Sequence, residues 1–313
     1  MLTLRERIEG GIIGLLVGDA LGVPYEFHDP WEIPPPERIE YTPPLGYARA
    51  HPHVPPGTWS DDGAQALCLL ASLLDQGRFD IDDFGQRLLD WYERGYLAVD
   101  GDVFDIGVTT RVALHRLSAG TPPLEAGSAE ENAQGNGSLM RVLPLALWHR
   151  GSDAELVADA RAQSRVTHGH ICVQMCCALY CVWARGALRD QREPWEAAVR
   201  TLRGMFGPET PERAALDGKI RPDGQPRGEG RGYVVDCLHS ARLAQEAGDY
   251  EAIVRFAIRL GHDTDTTACV AGGIAGMRAG IAGIPTRWRD GLRGKELVAP
   301  LLARLGQWSE STR

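Results

Sequence analysis

The sequence lacks an excess of positive charge: 33 Lys and Arg stand against 42 Asp and Glu, a formal net charge of −9 over 313 residues. That balance argues against a general nucleic-acid binder. An obvious leader or bilayer span is lacking too. The apolar run Ile12–Leu21 contains Asp19 and no Ala-x-Ala-like cleavage site, and Ala268–Ile284 is broken by Arg278; both fall short of the roughly 20 apolar residues that a membrane helix needs. A soluble protein is expected. A disulfide framework is missing as well, since the seven cysteines are odd in number and four crowd into Cys172-x3-Cys176-Cys177-x3-Cys181. On a helix at about 100° per residue, Cys172 and Cys181 point to opposite sides, so the four thiols do not converge on one zinc ion. Buried free thiols in a reducing cytoplasm are expected instead.

What is present is an ordinary globular composition, 43% hydrophobic and 24% charged, with length enough for a sizeable core. No series of strands stands out. Apolar residues recur at helical spacing over 4–21, 63–76, 81–92, 107–117, 139–149, 154–164, 171–187, 195–205, 233–246, 250–259, 266–279 and 295–305, so the chain reads as all-α. Gly77 and Gly151 suit helix ends, Asp153 and Asp249 suit N-caps, and Pro194 suits a helix start. Two long loops, Phe27–Gly57 and Gly207–Gly232, interrupt the helices. Candidate chemistry flanks both, so the expectation is one domain over residues 1–313 whose loops rim a site. Gly272, Gly273, Gly276 and Gly280 predict close helix packing.

Two acidic clusters begin predicted helices, Thr58-Trp59-Ser60-Asp61-Asp62-Gly63 and Gly261-His262-Asp263-Thr264-Asp265-Thr266. One oxygen suffices to cap a helix, whereas each cluster brings two carboxylates and at least one hydroxyl. If the two starts face each other, like charges about 4 Å apart repel by roughly 4 kcal/mol at an effective dielectric near 20. Raised pKa values or bound divalent cations would offset that repulsion, and an all-oxygen set suits Mg²⁺ or Mn²⁺ over Zn²⁺. A third segment, Gly18–Phe27, holds Asp19 and Glu26. A carboxylate at the start of a long, mobile loop suits a general base or a gate. Gly135-Asn136-Gly137-Ser138-Leu139-Met140-Arg141 reads as a glycine turn feeding a helix, either an ordinary turn or an anion cradle at a helix start. His168 and His170 form a His-x-His with no evident third ligand, which leaves His168 as a polar contact to substrate; His51 and His53 lie in a Pro-rich loop.

Taken in order, Gly18-Asp19-Ala20-Leu21-Gly22-x-Pro24-x-Glu26, Ser60-Asp61-Asp62, Gly135 to Arg141, and Asp263-Thr264-Asp265-Thr266-Thr267-Ala268 resemble the ADP-ribosylglycohydrolase family. Phe104-Asp105-Ile106-Gly107-Val108-Thr109-Thr110-Arg111 is similar as well, and the resemblance spans Gly11 to about Gly283. It implies a compact, all-helical, single-domain orthogonal bundle with two Mg²⁺ or Mn²⁺ ions at its centre. Ser60, Asp61, Asp62, Asp263, Asp265 and Thr266 would then be metal-site residues, Glu26 a loop carboxylate near metals and substrate, and Asp105 a group on the substrate side. Asn136, Gly137, Ser138 and Met140 would hold ADP-ribose, with His168 assisting. The family pattern usually has Thr where Ser60 stands and often Thr or Ser where Gly63 stands; Ser60 keeps the oxygen and Gly63 loses one.

The activity so implied is hydrolysis of the glycosidic bond between ADP-ribose and a modified protein side chain, arginine first, or a small molecule, with ADP-ribose as product. Glu26 or Asp105 would handle the proton. Two rivals follow from the same residues: a metal-dependent phosphohydrolase cutting the diphosphate, and a non-catalytic ADP-ribose binder.

Overall fold

The structure, a computed structural model, describes residues 2–310. Helix α1 spans Leu4–Gly22, α2 Asp61–Gln76, α3 Ile81–Arg94, α4 Val108–Ser118, α5 Leu143–Trp148 and α6 Asp153–Arg165. Then follow α7 Ile171–Leu188, α8 Pro194–Met205, α9 Val234–Ala244, α10 Tyr250–Arg259, α11 Thr264–Ala279 and α12 Lys295–Glu310. Each corresponds to an expected segment, and among the described residues extended pairing is limited to the isolated bridges Ser128–His168 and Gly135–Tyr233. The all-α reading holds. Short helices at Pro123–Ala126, Pro211–Ala214 and Thr286–Gly291 are too brief for a 3.6-residue period to reveal.

Helix ends show where local chemistry was legible. Gly77 closes α2 in the left-handed conformation, and Asp249 caps α10 by accepting the Ala252 N–H at 2.9 Å. At α6 the cap is Ser152, not Asp153. Its hydroxyl accepts the Glu155 N–H at 3.2 Å while the Glu155 carboxylate accepts the Ser152 N–H at 2.7 Å, a reciprocal arrangement that satisfies two amides at once.

Helices α1 and α11 run antiparallel through the middle of the molecule with their backbones in contact. A Cβ at Gly18 would lie 2.1 Å from the Ala268 carbonyl oxygen, and one at Gly10 would lie 2.2 Å from that of Gly276. Only glycine permits such an approach. Three hydroxyls tie carbonyls of this pair: Tyr250 donates to Gly14 at 2.7 Å, Tyr180 to Val270 at 2.8 Å and Thr264 to Gly22 at 2.8 Å. Around them one buried apolar cluster extends from Ile8 to Leu305.

Contrary to the expectation from sequence, Leu4–Tyr25 and Ile171–Leu188 are long and apolar enough to cross a membrane by length and composition. Their apolar windows are 89% and 94% buried inside the fold, as core helices of a folded protein are. All seven cysteines are buried and unpaired, four of them on α7.

The loop expected to be mobile, Phe27–Gly57, is pinned at its midpoint. The Glu40 carboxylate accepts from Arg255 at 3.0 Å, Arg287 at 3.1 Å and the Trp288 indole at 2.5 Å, and its backbone exchanges two hydrogen bonds with the Tyr25 hydroxyl.

Replacing Gly18 with Ala should destabilise the protein by about 3 kcal/mol in denaturant unfolding, because backbone must separate from backbone. Gly204, near the end of α8 with open space around it, is the control: Gly204→Ala should stabilise by about 0.5 kcal/mol. Equal effects at the two positions would contradict the backbone contact.

Candidate active site

The contact between α1 and α11 delivers two carboxylates to one place. Asp19 lies near the end of α1, fully buried, and accepts the Ser60 N–H at 2.9 and 3.1 Å and the Gly63 N–H at 2.8 Å. It therefore anchors the start of α2, where Ser60 is the N-cap and accepts the Asp62 N–H at 3.3 Å. The missing oxygen at Gly63 has a steric reason. A Cβ there would sit 2.9 Å from Asp19 Oδ2 and 2.7 Å from Leu16 Cδ2, so the Asp19 carboxylate fills the space a hydroxyl side chain would need. The sequence marked Asp19 as a residue within a motif but gave no sign that its oxygens hold another helix.

The two acidic helix starts do face each other. The Thr266 hydroxyl at the head of α11 points to Asp62 Oδ1 of α2 at 3.4 Å, and both helices direct their positive ends at the cluster. Asp61 Oδ2 accepts the Gln65 amide at 3.0 Å, and Asp263 Oδ2 accepts the Asn136 amide at 2.9 Å. Oxygens of Glu26, Asp263 and Asp265 fall within 4.8 Å of one another, as do ligand atoms of Glu26, His51 and Asp105.

A cleft of about 290 Å³ opens onto this cluster. Glu26, Asp61, Asp62, Asp105, Asn136, Gly137, Met140, His168, Asp263 and Thr266 all line it, ten of the thirteen residues expected. Asp265 and Ser60 sit behind that surface. Ser138 faces away: its hydroxyl is 2.8 Å from Ser164 Oγ, which donates in turn to the His168 carbonyl at 2.9 Å. As a side chain it braces the His168 segment and is not a ligand contact. The glycine segment also differs from expectation in form. Residues 136–142 make successive tight turns, with Leu139 and Met140 N–H both donating to the Asn136 carbonyl at 2.7 and 3.1 Å, and helix α5 begins only at Leu143. The cradle is a turn and not a helix start.

His51 is a residue the sequence left unassigned. Its Nε2 lies 2.8 Å from Glu26 Oε2 and 3.7 Å from Asp105 Oδ1, so it faces both candidate proton-handling groups. Phe27 is another: it stands in the left-handed region at φ 62°, 70% exposed beside Glu26. Neither position carries a spacing signal.

Burial dominates the electrostatics, with mutual repulsion second. Asp61, Asp62 and Asp265 are pushed well above the usual carboxylate range by burial and then by neighbouring carboxylates. Asp19 is pushed up to about 7 by burial against its amide hydrogen bonds, and Asp105 to about 7 by burial and then Asp263. Glu26 is raised by burial, then by Asp105 and Asp263. Two oxygens, Asp62 Oδ2 and Asp265 Oδ2, are buried with no hydrogen-bond partner. Buried carboxylate oxygens without donors are costly. Orphaned oxygens in an all-oxygen set fit a hard divalent cation.

The sequence profile of the ADP-ribosylglycohydrolase family matches residues 1–312. The chain belongs to this family. Among its similar relatives is ADP-ribosylarginine hydrolase Tri1 of Pseudomonas putida (strain GB-1), 30% identical over 307 residues covering 96% of this chain and 78% of the relative. ADP-ribosyl-[dinitrogen reductase] glycohydrolase of Rhodospirillum rubrum is 28% identical, covering 91% of this chain and 90% of that protein. A solved structure described as an ADP-ribosylglycohydrolase-related protein complex superimposes with a TM-score of 0.77 at 34% identity, over 99% of this chain and 100% of that one. The orthogonal helical bundle of this glycohydrolase family is thus the fold of the present chain.

In metal-free protein, carboxyl groups with raised pKa contribute stability below their ordinary range near pH 4, and lose it as pH rises through about 7 for Asp19 and Asp105. A saturating hard divalent cation should therefore raise Tm, and by more at about pH 7.5 than at about pH 5, where protons compete for the same oxygens. Differential scanning calorimetry checks this; an equal gain at both pH values would contradict it.

Proposed function

We propose that this glycohydrolase-family chain hydrolyses the glycosidic bond joining ADP-ribose to a modified protein side chain, arginine in the first place, and releases ADP-ribose. The relatives named for ADP-ribosylarginine and for ADP-ribosyl-dinitrogen reductase support that substrate class. The observation that carries the reading is the pair of orphaned oxygens on Asp62 and Asp265, buried beside a cleft that Gly135, Asn136, Gly137, Met140 and His168 also line. Ser60, Asp61, Asp62, Asp263, Asp265 and Thr266 form the donor set for two Mg²⁺ or Mn²⁺ ions. Bound there, such ions would supply positive charge for ribose hydroxyls and for a water.

The chain's own groups do the remaining work. Glu26 and Asp105, both raised in pKa by burial, are placed to give or take the proton of the leaving group or the attacking water. His51 Nε2 contacts the Glu26 carboxylate at 2.8 Å. The surrounding carboxylates favour the positive charge that develops at the anomeric carbon. An acidic chain needs positive ends against a diphosphate, and the starts of α2 and α11 contribute them. The seven buried, unpaired thiols support a reducing cytoplasm as the setting.

Asp265→Asn should lower turnover more than about 100-fold, while in metal-free protein its thermal stability equals or exceeds the parent's, since the change removes a buried carboxylate that its neighbours repel. The decisive assay incubates the protein with ADP-ribosylated arginine and serine peptides, with and without each metal, and weighs the products. Free ADP-ribose supports glycosidic cleavage, whereas AMP would turn the reading to a phosphohydrolase and intact peptide to a binder.

A further inference from the structure

Arg141 is a fully buried cation, and among the described residues its hydrogen bonds all go to neutral acceptors. Its guanidinium donates to Gln65 Oε1 at 2.7 Å, to Gln163 Oε1 at 3.1 Å, to the Gln163 carbonyl at 3.0 Å and to Thr167 Oγ1 at 2.8 Å, and it lies 5.2 Å from the Phe84 ring. Four neutral acceptors around a buried charge form a costly arrangement. They lead in two directions. Gln65 passes its amide on to Asp61, and Thr167 meets His168 Nδ1 at 2.8 Å.

The second branch determines a proton position. Guanidinium nitrogens only donate, so Thr167 Oγ1 accepts from Arg141. The hydroxyl is buried and its own proton needs an acceptor; among the described residues the remaining group within reach is His168 Nδ1. That nitrogen must therefore present a lone pair, which leaves the imidazole proton on Nε2. Among the described residues the Nε2 edge has no hydrogen-bond partner, and His168 lines the cleft. It is uncovered because two positions have no side chain: a Cβ at Gly135 would stand 3.5 Å from Nε2, and one at Gly137 would stand 2.9 Å from Cε1.

We infer that Arg141 and Thr167 are positioning residues that lock His168 as the Nε2–H tautomer, so that it offers the cleft a neutral hydrogen-bond donor for a hydroxyl or phosphate oxygen of the ligand. Burial, with the Arg141 cation second, lowers the His168 pKa to about 3, so the ring stays neutral under ordinary conditions. The ligand's identity rests on the function proposed above; the tautomer does not.

The experiment reads the free protein first. With ¹⁵N-labelled histidine, and His168→Gln to assign the signals, His168 should show a proton-bearing Nε2 and a bare Nδ1 at neutral pH. A proton on Nδ1, or an imidazolium, would overturn the inference whatever the substrate proves to be. Thr167→Val keeps the shape and removes the hydroxyl, and should mix the two tautomers and weaken ADP-ribose binding about three- to tenfold by calorimetry. Thr167→Ser should restore both. A Val variant that retains the single tautomer would also refute the role of Thr167, and if that variant fails to fold, the parent and Ser spectra decide.

Discussion

Everything at the cleft depends on two helices touching through their main chains. The Gly10, Gly14 and Gly18 face of α1 lies against Ala268, Gly272 and Gly276 of α11, with no side-chain layer between. The gain is positional: α1 presents Asp19, the turn that follows it presents Glu26, and α11 presents Asp265 and Thr266, at the same end of the pair. A layer of leucines would set the axes about 8–10 Å apart, the usual distance for packed helices. The carboxylates would then lie farther from each other than a shared set of cations can bridge. Stability and site geometry thus come from the same residues.

The second constraint is electrostatic. Asp61, Asp62, Asp265 and Glu26 are buried, with Asp263 and Asp105 half-buried beside them, and the fold offsets only part of their repulsion. Asp19 is quieted by three amide contacts, Asp61 by Gln65 and Asp263 by Asn136. Asp62 and Asp265 each keep one oxygen unsatisfied. Natural proteins rarely leave such atoms without cause. Helix dipoles and a buried Arg141 behind Gln65 temper the field without reaching those two oxygens.

Much of this was legible in the residues. Helical periodicity located α1–α12, although α5 keeps only Leu143–Trp148 of the 139–149 segment expected, and the glycines of α11 pointed to close packing. The acidic clusters at two helix starts were visible because they exceed what capping requires. Other parts depend on contacts between distant segments and leave no local trace. Nothing near Asp19 in the chain indicates that it holds Ser60, 41 residues away. Ser138 reads as a ligand residue from its motif, yet its hydroxyl turns inward to Ser164 because the 136–142 segment winds as turns. His51 sits in a proline-rich stretch with no periodicity, and only the folded loop brings it to Glu26. The short helices escape because fewer than two turns carry no usable period.

The mouth of the cleft is built before anything enters it. Phe27 N–H donates to the His262 carbonyl at 2.7 Å, His262 N–H to the His28 carbonyl at 2.7 Å and Asp263 N–H to the Gly230 carbonyl at 2.9 Å, so three separate stretches of chain are sewn into one rim. An incoming molecule then has little ordering entropy to supply. Past that hydrogen-bonded rim, where the bare Phe27 ring stands 70% exposed, the first surface an incoming molecule meets is aromatic before it is acidic.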